Sequence, residues 1–403
     1  MNVLFLTIYR INNLSERGIY TDLMRKFRDE GHKVFIVTPS ERRYKQKTAF
    51  NEQEGISLLK VYTLNFQKTN VIEKGIGTLL IEYQFLDAIK KYLSEIKFDV
   101  IIYSTPPITF TRVIKFIKRK SSADSYLLLK DIFPQNAVDL GLMKKNGLIH
   151  TFFSSKERSL YAVSDYIGCM SKANLDYLSI NNPQINTDKM HVNPNSIEPV
   201  NSFLSHDQKV NIRKQYAIPL NNTTFVYGGN IGKPQGIHFL IEVIESNKLN
   251  DKCFFVVVGD GTEFNRLNSW FKMNKPVNAI LLSGLPKQEY DNLVQSCDVG
   301  MIFLDKRFTI PNYPSRLLSY LEYKMPVITG TDGTTDIGKD AEENGYGFYC
   351  ESGNLKLMNS QITFLSKNPD VIQMMGNKGY NYLLKNFSVE NSYAIIMNQL
   401  KTN

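Results

Sequence analysis

The chain has 403 residues, of which 42% are hydrophobic and 22% charged, and its formal net charge is +9 at pH 7. This length exceeds one ordinary hydrophobic core and fits two domains of about 200 residues each. The composition excludes a disordered or fibrous protein, and the chain lacks the run of about 18 apolar residues that predicts a membrane-spanning helix.

An alternation of strands and helices begins at the first residues. The apolar run at 2–8 predicts a strand and not a signal peptide, because it lacks a basic leader and a small-residue cleavage site. Residues 18–30 have helical periodicity, and Gly31 is placed to end that helix before a strand at 33–38. This order predicts a doubly wound parallel sheet. Further buried strands are predicted at 99–104, 125–130 and 166–170.

A second alternating series follows the polar stretch 199–222, where we place the linker. Strands are predicted at 224–227, 253–258, 279–283, 299–303 and 326–329, and helices at 237–246, 285–295 and 315–323. The fold class is therefore α/β, with two tandem Rossmann-like domains. A cleft between two such domains would bind ligands beyond the carboxyl ends of the strands.

The loop after the strand at 224–227 has the chemistry of a phosphate site. Its sequence is Gly228-Gly229-Asn230-Ile231-Gly232-Lys233-Pro234-Gln235-Gly236, and it opens an amphipathic helix. Glycines let backbone amides approach a ligand, and Lys233 adds a cation beside them. We expect this loop to bind a diphosphate; the alternative is a tight turn without a ligand.

A second candidate anion site is Pro314-Ser315-Arg316, at the start of the helix predicted at 315–323. Ser315 is a plausible N-cap, and Leu317 belongs to the buried stripe. The first turn carries Arg316 and no acidic residue, which opposes the helix dipole by up to about 1 kcal/mol. A bound anion on the amides would meet this guanidinium. The alternative is that Arg316 points into solvent.

Two further loops follow predicted strands in the second half. Gly259-Asp260-Gly261 is an incomplete GxGxxG, so these glycines indicate either close approach to a ligand or a structural turn. Gly284-Leu285-Pro286 follows the next strand, where main-chain atoms could contact a nucleobase edge.

In the first half, Thr105-Pro106 and Asp131 follow two predicted strands. Asp131 comes after an apolar strand, so its carboxylate is placed to orient an acceptor hydroxyl or a sugar. The alternative is that Asp131 caps a helix.

No metal site or disulfide is predicted. None of the five histidines has a metal-ligand spacing, and His32 and His191 are expected to be structural. The cysteines are far apart without a CxxC pair and are expected to be reduced and buried, at Cys169, Cys253, Cys297 and Cys350.

The positive charge indicates an anionic partner. Residues 42–47 form a basic loop, and residues 113–120 alternate apolar and basic residues at roughly helical spacing. The run at 113–120 suits a surface that rests on anionic lipid headgroups, and for each run the equally consistent alternative is a solvated helix with one face in the core.

Taken in order, these segments resemble glycosyltransferase family 4 of the GT-B fold, and most closely its bacterial capsule and O-antigen branch, similar to N-acetyl-fucosamine transferases. The segments that carry the resemblance are Ser104-Thr105-Pro106-Pro107, Lys130-Asp131-Ile132-Phe133-Pro134, His191-Val192-Asn193-Pro194-Asn195, Gly229 to Gly236, Gly259-Asp260-Gly261 and Pro314-Ser315-Arg316.

The resemblance implies a hexosyl-type transferase (EC 2.4 class) that uses a UDP-sugar, retains the anomeric configuration and needs no metal or other cofactor. The acceptor would be an undecaprenyl-diphosphate-linked saccharide, and the sugar moved would be an N-acetylated 6-deoxy or amino sugar. The enzyme would be cytoplasmic, with peripheral contact to anionic lipid of the inner leaflet and no nucleic-acid partner.

The resemblance also implies a division of labour along the chain. Residues 1–198 would bind the acceptor, residues 199–385 the nucleotide sugar, and residues 386–403 would form a helix that packs back on the first domain. The residues assigned to the donor are Gly229, Asn230, Gly232, Lys233, Gln235, Gly259, Gly261, Leu285, Pro314, Ser315, Arg316, Leu317 and Ser319. Those assigned to the acceptor are Gly18, Thr105, Pro106, Asp131 and Asn195, and the catalytic residues are Asp131, Lys233 and Arg316.

The chain departs from the family pattern at several positions. Asn230 and Gln235 stand where the broad family has Arg and Lys, and Lys233 lies between them. The family's two glutamates would fall on Pro311 and Ser319, so Arg316 and Ser319 would take over their contacts to the diphosphate and ribose, and Leu128 replaces a common catalytic His. We therefore assign no general base.

Two other functions remain as alternatives. One is a UDP-sugar epimerase of GT-B fold, which would need acid and base groups of which this chain has few candidates. The other is a non-enzymatic module that binds anions or a membrane through the positive charge.

Overall fold

The structure is a computed structural model, and it describes residues 1–67 and 69–401. The described chain forms two compact units, one of residues 1–198 with 388–401 and one of residues 199–387. Each unit is built on a parallel sheet covered by helices, which confirms the predicted fold class. Residues 402 and 403 of the predicted C-terminal segment lie outside the described residues.

The first unit has an eight-stranded sheet in the order β3-β4-β2-β1-β5-β6-β7-β8. All neighbouring pairs are parallel except β3 and β4. The strands are β1 Asn2–Leu6, β2 Lys33–Glu41, β3 Ala49–Gln53, β4 Ile56–Thr63, β5 Val100–Ser104, β6 Asp124–Leu129, β7 Tyr166–Cys169 and β8 Met190–Val192.

Helices cover both faces of this sheet. They are α1 Thr21–Asp29, α2 Val71–Tyr92, α3 Thr111–Ser121, α4 Gln135–Asp139, α5 Leu148–Val163 and α6 Lys172–Asn181, and α15 Val389–Leu400 from the chain's end. One apolar core joins the sheet to α1 and α15, and another joins it to α2, α3, α5 and α6. The amide of Val389 donates to the oxygen of Ile197 at 3.0 Å, which ties α15 to the first unit.

Local sequence explains where α1 ends. Gly31 has φ +82°, and the amides of Gly31 and His32 donate to the oxygens of Arg28 and Phe27 at 2.9 and 3.2 Å. This is the Schellman pattern, and it confirms the predicted role of Gly31.

The second unit has a six-stranded, all-parallel sheet in the order β11-β10-β9-β12-β13-β14. Its strands are β9 Thr223–Gly228, β10 Cys253–Val258, β11 Ala279–Leu282, β12 Val299–Phe303, β13 Val327–Thr331 and β14 Gly347–Glu351. Its helices are α7 His206–Gln215, α8 Ile237–Ser246, α9 Phe264–Asn274, α10 Lys287–Gln295, α11 Arg316–Glu322, α12 Ile337–Glu343, α13 Leu355–Lys367 and α14 Pro369–Asn386.

Helix α3 confirms the core-face alternative for the basic run at 113–120, because its apolar side is buried while Lys115, Arg119 and Lys120 stay exposed. Val113, Ile114 and Ile117 are buried, and Lys118 pairs with Asp165. The expectation that the apolar residues of 113–120 rest on lipid is therefore wrong, because they pack against the sheet. Among the described residues, no helix combines the length and apolar character needed to span a membrane.

Candidate active site

The predicted glycine loops of the second unit meet at the carboxyl ends of β9 and β10. The amide of Gly229 donates to the oxygen of Val258 at 2.9 Å, and that of Ile231 donates to the oxygen of Asp260 at 2.8 Å. Gly259 has φ +152°, and a Cβ there would lie 1.8 Å from the oxygen of Gly229. The two loops therefore pack main chain against main chain, which only glycine permits.

Gly261 and Gly284 extend this packed edge. A Cβ on Gly261 would lie 2.2 Å from the oxygen of Ile231, and one on Gly284 would lie 2.2 Å from Oδ2 of Asp260. Close contacts with protein atoms thus explain why glycine is needed at both positions. For Gly261 this favours the alternative of a structural turn over approach to a ligand. Leu285 follows at the same edge and is half-buried.

The glycine-rich loop after β9 is stiffened by its own side chains. Oε1 of Gln235 accepts from Nδ2 of Asn230 at 3.0 Å and from the amide of Gly232 at 3.3 Å. Asn230 and Gln235, the two residues that depart from the family pattern here, therefore form a hydrogen bond with each other. Lys233 is exposed, and its side chain has no partner within the described part of the chain. It remains available to a ligand.

Arg316, the first residue of α11, reaches this loop. Its Nη2 donates to the oxygen of Asn230 at 3.3 Å, and its Cζ lies 4.3 Å from the centroid of the Tyr227 ring. The alternative in which Arg316 points into solvent is wrong. Its Nη1 is buried and has no hydrogen-bond partner within residues 1–67 and 69–401. One end of the guanidinium is therefore held, and the other is free for a ligand.

The surroundings of Arg316 contain hydroxyls rather than carboxylates. Burial raises the pKa values of Tyr227 and Tyr320, and it raises that of Tyr290 to about 12, so all three hydroxyls are neutral at pH 7. Arg316 forms no ion pair with any carboxylate of the described residues. A cation left without a counter-charge is suited to an anionic ligand.

The start of α11 differs in detail from the prediction. Ser315 occupies the N-cap position, but its side chain makes no capping hydrogen bond. The amides of Leu317 and Leu318 donate to the oxygens of Pro314 and Ser315 at 3.2 and 3.0 Å. Both amides therefore already have partners inside the first turn of the helix. An anion at this helix end would be bound by the side chain of Arg316 and not by the helix amides. Leu317 is buried, Pro314 and Ser319 are half-buried and Ser315 is exposed.

In the first unit the structure joins two of the predicted acceptor residues. Oγ1 of Thr105, at the end of β5, accepts from the amides of Lys130 and Asp131 at 2.9 and 3.1 Å. Asn136 donates to both carboxylate oxygens of Asp131, at 2.9 and 3.0 Å. Asp131 does not cap α4, whose N-cap is Pro134, so the capping alternative is wrong.

The environment of Asp131 changes its acidity. Burial raises the pKa of Asp131 from 3.8 to about 6, against the opposing effect of the Asn136 hydrogen bond. Near neutral pH the carboxyl group therefore titrates, a property suited to proton handling.

The other predicted acceptor residues lie on neighbouring loops. Pro106 is exposed beside Thr105, and Asn195 is buried after β8. Oδ1 of Asp22 accepts from the amide of Gly18 at 2.8 Å, and its Oδ2 accepts from the amide of Glu198 at 3.0 Å. The loop of Gly18 is thus tied to the segment that follows Asn195, whereas no hydrogen bond in the described structure links either residue to Asp131.

Sequence reasoning missed two titratable groups next to Asp131. Burial raises the pKa of Glu157 on α5 to about 7, and the hydroxyl of Tyr161 donates to its Oε1 at 2.8 Å. Burial lowers the pKa of Lys130 to about 7. Lys130 directly precedes Asp131, so the sequence offers a signal for it. The sequence around Glu157 offers none, because the burial that raises its pKa depends on how α5 packs.

The histidines have structural partners. Nε2 of His191 lies 2.5 Å from the hydroxyl of Tyr126, and burial lowers the pKa of His191 to about 4. Nε2 of His32 lies 2.9 Å from the hydroxyl of Tyr393. The four cysteines are free and buried, as expected. No group of three potential metal ligands occurs in the residues that the structure describes.

Residues 208–382 match a family model described as "Glycosyl transferases group 1". The chain is 20% identical over 289 residues to the probable glycosyltransferase WbjE of Pseudomonas aeruginosa, a match covering 70% of this chain and 69% of that protein.

Solved structures share the fold. Sucrose-phosphate synthase from Thermosynechococcus elongatus has a TM-score of 0.76 at 13% identity, over 100% of this chain and 98% of that one. HepE of Anabaena, in complex with UDP-glucose, has a TM-score of 0.71 at 14% identity, over 100% of both chains.

The matched domain and the relative define the class of this protein: it is a glycosyltransferase, and its fold is of GT-B type. More particularly, its second unit carries a glycosyl transferases group 1 domain over residues 208–382.

Proposed function

We propose that this glycosyltransferase is a family 4 enzyme that transfers a sugar from a UDP-sugar to an undecaprenyl-diphosphate-linked saccharide in capsule or O-antigen synthesis. The observation that carries the proposal is the uncompensated guanidinium of Arg316 beside the glycine-rich loop. The complex of HepE with UDP-glucose supports a nucleotide-sugar donor, and the resemblance of the motifs supports the acceptor class.

In the proposed reaction the acceptor oxygen forms a bond to C1 of the donor sugar while the bond from C1 to the diphosphate oxygen breaks. Attack on the same face as the leaving group retains the configuration. The leaving phosphate oxygen takes the hydroxyl proton, so the products are UDP and the glycoside. This route needs no separate general base.

Two cationic side chains would stabilise the departing diphosphate. Lys233 lies on the loop after β9, and Arg316 reaches the same loop at Asn230 from the start of α11. A key donor in a dry site is worth roughly 3 to 4 kcal/mol in the transition state. Asp131 would orient the acceptor hydroxyl. Because cationic side chains serve the diphosphate, we propose that transfer requires no metal, so that activity persists in EDTA.

We also propose peripheral contact with an anionic membrane through a patch that we call the α2–α5 face. Its exposed apolar residues on α2 recur with helical spacing, and those on α5 lie near its start: Ile76, Leu79, Leu80, Tyr83, Leu148, Ile149 and Phe152. Leu148 is 92% exposed and Ile149 64%.

The two helices of this face carry interacting groups and basic neighbours. Burial raises the pKa of Glu82 on α2, and the charge of Lys156 on α5 opposes that rise, so Lys156 acts electrostatically on Glu82. Lys144 and Lys145 are exposed just before α5. Apolar side chains with lysines around them suit a surface of anionic lipid.

A panel of nucleotides and nucleotide sugars tests the donor, since a ligand that binds only the folded state raises Tm. We expect UDP and one or more UDP-sugars to raise Tm in the wild type and in Arg266→Ala, an exposed arginine on α9, but much less in Arg316→Ala. No shift with any nucleotide contradicts the proposal. Conversion of the UDP-sugar without an acceptor supports an epimerase instead.

A further inference from the structure

A basic cavity lies at the carboxyl end of β2 in the first unit. Its volume is about 500 Å³, and its lining residues are Arg42, Lys45, Gln46, Lys47, Thr48 and Tyr62. Half of these residues are cationic and none is acidic. The amide of Tyr62 donates to Oγ1 of Thr48 at 3.0 Å, and Oγ of Ser40 donates to Oε1 of Gln46 at 3.1 Å, so the wall is held by hydrogen bonds.

More positive charge lies beside the cavity. Lys60 and Tyr62 are two residues apart on β4 and therefore on the same face of the sheet. The guanidinium of Arg10 lies over the ring of Tyr44, 3.4 Å from its centroid. Burial lowers the pKa of Lys60, and the nearby charge of Arg10 lowers it further. Two half-buried cations that repel each other are unfavourable unless an anion lies between or beside them.

The carboxylates of this region are already used. Glu73 pairs with Arg42 at 2.6 Å, and Glu41 pairs with Arg43 at 2.8 Å. The remaining cations have no ion pair within the described residues, and they are Arg10, Lys45, Lys47 and Lys60. The protein therefore concentrates positive charge here without supplying the matching negative charge.

We propose that this cavity binds a phosphate or diphosphate group. Resting on the proposed function, we assign that group to the diphosphate of the lipid-linked acceptor. The strands β2, β1, β5 and β6 are parallel neighbours, so the cavity and Asp131 lie at the same edge of one sheet. Strands β2 and β6 are three strand spacings, or about 14 Å, apart. This distance leaves room for a saccharide between the diphosphate and the reacting hydroxyl.

Inorganic pyrophosphate is the first probe, titrated calorimetrically in the presence of saturating UDP so that the donor site is filled. We expect saturable binding that weakens with salt, and a loss of about tenfold or more in Lys45→Ala/Lys47→Ala. The matched control is Lys356→Ala/Lys367→Ala, two exposed lysines of α13, which should bind as the wild type does. Equal affinity in both double variants, or no binding beside UDP, overturns the proposal.

Vesicles distinguish the source of the phosphate. Phosphatidylcholine vesicles that carry a prenyl diphosphate should bind the wild type better than Lys45→Ala/Lys47→Ala, and phosphatidylglycerol vesicles should bind both alike. A loss confined to phosphatidylglycerol overturns the acceptor assignment and places lipid headgroups in the cavity. The UDP-dependent rise in Tm is measured on the same samples. If that rise is absent, the proposed function fails, whatever the result for the cavity.

Discussion

Arg316 donates a hydrogen bond from Nη2 to the main-chain oxygen of Asn230 at 3.3 Å, which joins the start of α11 to the loop after β9. The residues are 86 positions apart in the chain. This contact directs the guanidinium towards the glycine-rich loop and leaves Nη1 unpaired in a buried place.

We expect Arg316→Ala to reduce kcat by about 10²- to 10³-fold, because the leaving diphosphate loses one charged donor. Arg316→Lys should retain part of the activity, since it keeps the charge but loses the planar fork. Steady-state kinetics with the UDP-sugar found by the thermal panel measures both. Arg266→Ala is the control, and normal turnover by Arg316→Ala would remove the proposed role.

We expect Gly259→Ala to lower UDP affinity and to destabilise the fold by about 1–3 kcal/mol, because the new Cβ would collide with the oxygen of Gly229. Gly353→Ala is the matched control: Gly353 also has positive φ, at +102°, but a Cβ there meets nothing within 4 Å. Urea unfolding and UDP titration measure the two effects. Equal behaviour of the two variants would show that backbone strain alone, and not the collision of the loops, matters.

We expect stability to depend on pH through Asp131. Its folded pKa of about 6 exceeds the ordinary 3.8, so the folded state keeps a proton that the unfolded state loses. The contribution of Asp131 to the free energy of unfolding therefore falls as the pH rises from about 4 to 6, and it stays low at higher pH. The rise in the pKa of Asp131 corresponds to a loss of at most about 3 kcal/mol in the free energy of unfolding at high pH, and partial exposure of the side chain reduces this to about 1–2 kcal/mol.

Asp131→Asn is consequently expected to be more stable than the wild type at pH 8, with the difference vanishing towards pH 4. Urea unfolding across this range measures it. Asp87→Asn, at an exposed position of α2, is the control. A difference between Asp131→Asn and the wild type that does not vary with pH would contradict the role of burial.

We expect Leu148→Glu/Ile149→Glu to weaken binding to phosphatidylglycerol vesicles tenfold or more, because two apolar side chains no longer enter the interface. Leu249→Glu/Met273→Glu is the control, since both residues are exposed apolar side chains of the second unit. Cosedimentation at low and high salt is the measurement. Equal loss in the two variants would show that the α2–α5 face is not a specific docking surface.

The elements missed from the sequence have identifiable reasons. The hairpin of β3 and β4 turns at Glu54 and Gly55, which both have positive φ, a two-residue signal that was present in the sequence. Strand β3 itself is largely exposed and polar, so it lacks the apolar run of a buried strand. Helix α2 contains Gly75 and Gly77, which weaken its helical pattern, although Asn70 and Glu73 form a recognisable N-cap.

By itself the sequence determined the two parallel sheets and the loops at their carboxyl edges, because buried parallel strands are continuous apolar runs and the turns beyond them need glycine or proline. Only the tertiary structure decided that Arg316 faces Asn230, that burial raises the pKa values of Asp131 and Glu157, and that the apolar face of α3 packs against the sheet. The reason is that direction and burial of a side chain depend on residues far away in the chain, which local periodicity does not record.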